Sequence, residues 1–189
     1  MHGVVLSNFC PCSLQQFKMI ETAIHDCVDV SVIVCGWRSD PVEKCWPMEV
    51  RAQLLAQELQ SSCQIYKSIP ETLTYDLQAE GILESRERKN WRRFTDGIEH
   101  SISMTSTPLM FYTDEPRFVK PLMSLNFQVK YVNCNDPRTA WDVLQNADYR
   151  DGWDLITKTF YVYYRTHILS EYKLAKNTSI TSTYRPYGK

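Results

Sequence analysis

The stretch GVVLSNFCPCSLQQFKMIETA, residues 3–23, decides the fold of this chain. Its apolar residues 4–6 predict a short strand, and apolar residues at helical spacing between residues 14 and 27 predict an amphipathic helix. A strand, a tight turn and a helix in this order form the unit in which many α/β proteins bind phosphate. The turn, residues 7–13, contains no histidine, lysine or glycine, so the residues that usually contact phosphate at such a site are missing from it.

The rest of the chain continues this alternation of strands and helices. Further strands are predicted at residues 30–35, 64–68, 109–112 and 129–132, helices at 48–59, 87–102, 116–125, 138–145 and about 152–170, and a long loop at 69–87. Strands that alternate with helices indicate right-handed crossovers and a Rossmann-like, doubly wound parallel sheet of about five strands. In such a sheet the ligand crevice lies beyond the carboxyl ends of the strands, so the turn after the first strand should line it.

Length and charge limit the possible functions. A chain of 189 residues fits one α/β domain, residues 1–150, followed by a helical extension with a polar tail, residues 151–189. The net charge of −1 argues against a nucleic-acid partner, and no apolar run is long enough to predict a membrane span.

The seven cysteines are an odd number, and several lie within apolar runs. This usage predicts reduced thiols in a cytoplasmic protein. Cys10 and Cys12 lack a second Cys or His pair at zinc spacing, so no metal site is predicted.

The order of motifs resembles a known family. Gly3, Val4, Val5, Phe9 and Pro11 match a glycine, a strand and a turn of the form G-[KR]-F-x-P-x-H-x-G-H. Other matching segments are VDVSVIVCG, the loop with Arg38, Asp40, Pro47 and Arg51, NWRRFTDGI at residues 90–98, LMFYTDEP with its likeness to Y-T-S-E, and NDPRTAWDVL at residues 135–144. Over residues 3–155 the chain resembles the nicotinamide mononucleotide adenylyltransferase domain of bacterial NadR-like regulators, within the HIGH-motif nucleotidylyltransferase superfamily. The resemblance implies the strand order 3-2-1-4-5.

The departures from the family pattern fall on the catalytic positions. Ser13 and Gln16 stand where the family has its two signature histidines, and Ser7 and Asn8 replace a glycine and a basic residue of the turn. A second signature, I-S-x-T-x-[IV]-R, is expected just after the fifth strand, and this chain has no match there. We therefore expect that this second signature is deleted.

The resemblance implies a nucleotide site built from the turn and the neighbouring strands. The candidate binding residues are Ser7, Asn8, Phe9, Ser13, Gln16, Arg38, Arg51 and Trp91. For Trp91, ring stacking on a nucleotide competes with plain core packing, because it shares a helical stripe with Phe94 and Ile98. The ligands implied are ATP, NAD or nicotinamide mononucleotide, with Mg²⁺ if the protein is active.

Three interpretations remain open at this point. A catalytically degenerate module that binds a nucleotide or a protein partner is the first. A divergent but active nucleotidylyltransferase that uses Ser13, Gln16, Arg38 and Arg51 is the second, and an unrelated α/β domain is the third. The tyrosine-rich stretch at residues 160–173 is either a helix packed on the sheet or a surface for a partner or a second copy of the chain.

Overall fold

The computed structural model describes residues 1–36, 43, 46–62, 69–77, 82, 88–102, 107–134 and 155–168. The strands are β1 His2–Ser7, β2 Asp29–Gly36, β3 Glu71–Asp76, β4 Leu109–Thr113 and β5 Gln128–Tyr131. The helices are α1 Leu14–Asp26, α2 Met48–Ser61, α3 Arg88–Ser101, α4 Pro116–Ser124 and α5 Lys158–Tyr163, and α5 continues as a π-helical turn, Tyr164–Ile168.

All five strands pair in parallel in the order β3-β2-β1-β4-β5, which confirms the predicted fold class and strand order. The central strand β1 lies between β2 and β4, with Leu6 opposite Ile33 on one side and Thr113 on the other. The strand order therefore reverses at β1, and the crevice expected in such a sheet lies where β1 and β4 end.

Each face of the sheet is covered by helices. Val5, Val32 and Tyr112 belong to the core that packs against α1, α2 and α5. Val4 and Phe111 belong to the second core, which packs against α3 and α4. Because side chains alternate between the two faces and both faces are buried, β1 and β2 are apolar along nearly their whole length.

The third strand differs from its prediction. β3 spans Glu71–Asp76, within the stretch predicted as loop, so that prediction is wrong for these six residues. Residues 64–68, the predicted position of this strand, lie outside the described part of the chain. β3 is an edge strand whose side chains are all exposed or half-buried, so it lacks the continuous apolar run by which the central strands are recognised.

The last helix also differs from its prediction. α5 begins at Lys158, later than the predicted start near residue 152, because Ile156 pairs with Ser13 in an isolated antiparallel bridge. Residues 152–154 and the predicted helix at 138–145 lie outside the described residues.

The tyrosine-rich segment packs against the body of the domain. Phe160, Tyr161 and Tyr164 are buried in the same core as α1 and α2, and the ring of Trp46 stacks on Phe160 with centroids 5.8 Å apart. The packing alternative thus describes these rings, whereas Val162, 48 % exposed, faces outward. Within the described ranges, no helix combines the length and the apolar character that crossing a bilayer requires.

Candidate functional site

The turn between β1 and α1 is fixed by a capping box. The Ser13 hydroxyl accepts a hydrogen bond from the backbone N–H of Gln16 at 3.0 Å, and the Gln16 side-chain carbonyl accepts one from the backbone N–H of Ser13, also at 3.0 Å. This reciprocal pairing satisfies two donors at the start of the helix. Phe9, with φ of 47°, is fully buried, and the Cys10–Pro11 peptide bond is cis.

Gln16 uses its whole side-chain amide within the protein. Its Nε2 donates to the Ser7 hydroxyl at 2.9 Å and to Asp114 Oδ2 at 2.8 Å, while its carbonyl holds the Ser13 N–H. An amide has two N–H donors, so both are now occupied. At the position where the family has its second histidine, no side-chain N–H is left to meet a phosphate oxygen.

Asp114 completes this cluster, and the sequence analysis did not select it. It follows β4 directly, so its place at the carboxyl end of a central strand was the available signal. The Ser7 hydroxyl and the Gln16 amide both hydrogen-bond its carboxyl group. Burial raises the pKa of Asp114 above its ordinary value, with those two hydrogen bonds opposing the rise and the neighbouring Glu115 adding to it. Among the described groups that act on it, none is a cation.

The start of α1 is covered by residues 155–157. The backbone N–H of Leu14 donates to the carbonyl of Leu155 at 2.9 Å, and the N–H of Thr157 donates to the carbonyl of Cys12 at 3.1 Å. These bonds flank the Ser13–Ile156 bridge. An anion would need the free amides of a helix start, and here the amides of Leu14 and Gln16 are already bonded.

The same segment is similar in sequence to part of the second signature. Residues 156–159 read Ile-Thr-Lys-Thr, which fits the first four positions of I-S-x-T-x-[IV]-R with threonine in place of serine. The structure places them against the start of α1, next to the first signature. The arginine position of the pattern falls on Val162. The segment lies some twenty residues later in the chain than the position at which the signature was expected.

Thr157 carries an unusual hydroxyl group. Thr157 is 2 % exposed, and its Oγ1 is buried with no hydrogen-bond partner in the described part of the molecule. A buried hydroxyl that makes no hydrogen bond loses free energy, so such groups are uncommon.

Arg51, predicted to bind nucleotide, is buried and paired inside the protein. Its guanidinium donates to the carbonyl of Asn8, to the carbonyl of Cys35 at 3.5 Å and to the carboxylate of Glu43. Gly36 makes this possible, because a Cβ there would lie 2.6 Å from Glu43 Oε1. Arg51 therefore ties the ends of β1 and β2 together, and Glu43 neutralises its charge.

Two other predicted residues lie away from this cluster or outside the description. Trp91 is 5 % exposed and packs edge-on against Phe94 and Phe118, with ring centroids 5.8 and 5.7 Å away. This environment is the one expected if Trp91 packs in the core and does not stack on a nucleotide. Arg38 lies outside the described residues.

The nearby cysteines are poor nucleophiles in this environment. Burial raises the pKa of Cys12 well above the ordinary thiol value and raises that of Cys134 to about 12, and the charge of Asp114 adds to both shifts. A thiol rather than a thiolate is therefore present near neutral pH. In the described ranges, no group of three or more His, Cys, Asp or Glu side chains is arranged to hold a metal ion.

Comparison with known proteins supports the fold and leaves the sequence family open. No protein-family model and no curated protein matches the chain. A crystal structure of NadR protein in complex with NAD and AMP-PNP matches with a TM-score of 0.64 at 15 % identity, over 86 % of this chain and 46 % of the NadR chain. A NadR structure in complex with NR matches with a TM-score of 0.63 at 15 % identity, over 84 % of this chain and 43 % of that one. This chain thus shares the fold of part of NadR and spans less than half of the NadR chains.

Proposed function

We propose that this chain is a nucleotidyltransferase-like domain that binds a nicotinamide or adenine nucleotide in its crevice and has lost efficient adenylyl transfer. The observation that carries the proposal is that the side-chain amide of Gln16 is fully hydrogen-bonded within the protein. Its amide is bonded to Ser7, Asp114 and the Ser13 N–H, at the position where the family has a histidine.

Loss of catalysis follows from what adenylyl transfer requires. The enzyme must align the reacting phosphates and place strong donors where negative charge develops. Removing one such donor typically lowers the rate by about 10²–10³-fold. Here both signature histidines are replaced, and Val162 stands at the arginine position of the second signature.

Two features favour retained binding. The NadR structures that share this fold were solved with NAD and AMP-PNP in one case and with NR in the other. The Thr157 hydroxyl, buried without a described partner beside the start of α1, offers a hydrogen bond that the protein does not use.

A divergent but active enzyme is the second candidate function. The Ile-Thr-Lys-Thr segment at residues 156–159 favours it, because Ile156 and Thr159 match the second signature, Thr157 keeps a hydroxyl at its serine position, and the segment lies against the start of α1. Two of the residues assigned to this alternative are less suited to it, since Arg51 is neutralised by Glu43 and Gln16 is fully bonded.

A turnover assay separates the two candidates. Purified protein is incubated with nicotinamide mononucleotide, ATP and Mg²⁺, and NAD is quantified by mass spectrometry against a heat-killed control. We expect no product above the control. Formation of NAD at about 1 per second or faster, within the ordinary enzyme range, would contradict the loss of catalysis and favour the second candidate.

Calorimetry with ATP, NAD and nicotinamide mononucleotide tests retained binding. We expect at least one of the three to bind, and Thr157→Val to weaken that binding about fivefold, since a single hydrogen bond contributes about 1 kcal/mol. Thr22→Val is the matched control, because the Thr22 hydroxyl bonds only the Lys18 carbonyl of its own helix. If none of the three ligands binds the wild-type protein, the nucleotide-binding proposal is wrong.

A further inference from the structure

Two departures from the family pattern contact each other in space. Gln16 stands at the second histidine position, and Asp114 stands at the serine position of the Y-T-S-E segment, which here reads Tyr-Thr-Asp-Glu at residues 112–115. The two side chains are 98 residues apart in sequence and hydrogen-bonded at 2.8 Å. Each replacement thus supplies a partner for the other.

We propose that the Asp114 carboxylate is an internal anion that excludes phosphate groups from the start of α1, so that the ligand presents an uncharged group, such as a nucleoside sugar or base, at this position. The inference deepens the proposed function and rests on it for the existence of a nucleotide or nucleoside ligand. It assigns to Asp114 the role of a specificity-determining residue.

The hydrogen bonds favour an ionised carboxylate at this site. Gln16 Nε2 donates to both the Ser7 oxygen and Asp114, which leaves the Ser7 hydroxyl proton for Asp114. Both neighbours of the carboxyl group therefore donate to it, and a carboxylate accepts such bonds. No cation among the described groups that act on Asp114 offsets its charge.

The same network fixes the orientation of the Gln16 amide. Turning the amide over would point its carbonyl at Asp114 and leave the Ser13 N–H facing an NH₂ group. Asp114 thus acts on a phosphate in two ways. It repels the phosphate directly, and it accepts one of the two N–H donors of Gln16, while Ser7 accepts the other.

The size of the repulsion is large enough to decide the ligand class. Two unit charges about 5 Å apart at an effective dielectric constant of about 20 change an affinity by roughly a hundredfold. Removing the charge of Asp114 should therefore have a measurable effect even if solvent screens most of it.

The test uses inorganic pyrophosphate as the probe, with binding measured by calorimetry at neutral pH. The variants are Asp114→Asn, which removes the charge and keeps the shape, and Asp114→Ser, which restores the residue of the family pattern. Glu115→Gln is the control, because it removes one negative charge from the adjacent residue, whose carboxylate binds Arg117. Circular dichroism and thermal melting establish that each variant is folded.

We expect the affinity for pyrophosphate to rise at least tenfold in Asp114→Asn and further in Asp114→Ser, with Glu115→Gln close to the wild type. No gain in either folded Asp114 variant would overturn the inference. An equal gain in Glu115→Gln would also overturn it, since the effect would then come from net charge alone.

Parallel titrations with adenosine and AMP separate this inference from the proposed function. If AMP gains affinity selectively in Asp114→Asn while adenosine does not, both stand. If pyrophosphate gains but neither adenosine nor any nucleotide binds a variant, the inference stands and the nucleotide-binding function fails. If AMP or adenosine binds the wild type while pyrophosphate gains no affinity in either Asp114 variant, the function stands and the inference fails.

Discussion

Two carboxylates connect α1 to the sheet, one at each end of the helix, and their environments are opposite. Asp114 meets the first turn of α1 through Gln16, with neutral donors as its described partners. Asp26, the last residue of α1, accepts hydrogen bonds from Lys130 at 3.0 Å and from the Tyr112 hydroxyl at 3.1 Å. Burial raises the pKa of Asp114, whereas the hydrogen bond from Lys130 is the main cause that lowers the pKa of Asp26.

The difference separates a structural contact from a candidate site. Asp26 pairs with a cation at the surface, as a carboxylate that serves the fold usually does. Asp114 lies in the crevice, where the charge is disfavoured, and groups with such shifts are concentrated at functional sites. The carboxylate at the crevice end of α1 is thus the one whose charged form is disfavoured by burial.

We expect the largest effect on stability at Arg51, whose hydrogen bonds tie the ends of β1 and β2 together beside the crevice. Arg51→Met leaves the Glu43 carboxylate partly buried without its cation and removes the donor to the Asn8 carbonyl. We expect the free energy of unfolding to fall by about 3–5 kcal/mol, measured by urea denaturation. The control is Arg92→Met, which breaks an exposed pair with Asp96 and should cost under about 0.5 kcal/mol. Similar losses in the two variants would show that Arg51 has no special structural role.

The second effect is a pH dependence of opposite sign at the two ends. The raised pKa of Asp114 contributes stability at pH below its unfolded value, about 3.9 for a free aspartate, and this contribution is lost as the pH rises through the folded value. Asp114→Asn should therefore gain stability relative to the wild type as the pH rises from about 4 to 7. The lowered pKa of Asp26 acts in the other direction, because its contribution is present above the unfolded value and is lost as the pH falls through the folded one.

Denaturation of wild type, Asp114→Asn and Asp26→Asn checks both signs when the pH series extends from 7 to below about 3.9, because the contribution of Asp26 is lost only below that value. Asp26→Asn should be weaker than the wild type at pH 7 and approach it in acid. If the stabilities of the two variants changed with pH in parallel, the two ends of α1 would not differ in their electrostatics.

We expect the smallest effect on stability at Lys130, beside the exposed C-terminal end of α1. Lys130 is 44 % exposed and Asp26 30 %, so Lys130→Met should reduce stability by under about 1 kcal/mol, and less in high salt. NMR titration should show the pKa of Asp26 moving up towards its ordinary value, with that of Asp114 unchanged. A change at Asp114 would mean that the two ends are coupled.

The sheet was largely predictable from the sequence, because its central strands are buried on both faces and so appear as continuous apolar runs. β3 was misplaced for the same reason, since an edge strand with exposed and half-buried side chains lacks that signal. The positions of Ser13 and Gln16 were also predictable, since Ser13 is the N-cap of α1 and Gln16 lies in its first turn, within one short stretch of sequence.

The partners of Gln16 were not predictable, because they come from distant segments. Asp114 and the 155–157 strap, defined as the residues that cover the start of α1, approach the turn only when β4 and α5 are packed. Patterns along the chain show which residue stands at a site. They do not show whether its hydrogen bonds go to a ligand or to the protein.

The Ser13–Ile156 bridge has a consequence for the start of α1 while the chain is being synthesised. Ser13 leaves the ribosome before Ile156, and synthesis proceeds at about 5–20 residues per second. The helix start therefore spends seconds without the strap, with the Leu14 amide exposed to water. A chain that ends before residue 155 lacks the acceptor of the Leu14 amide, so this donor stays free for water or a small anion until the strap is made.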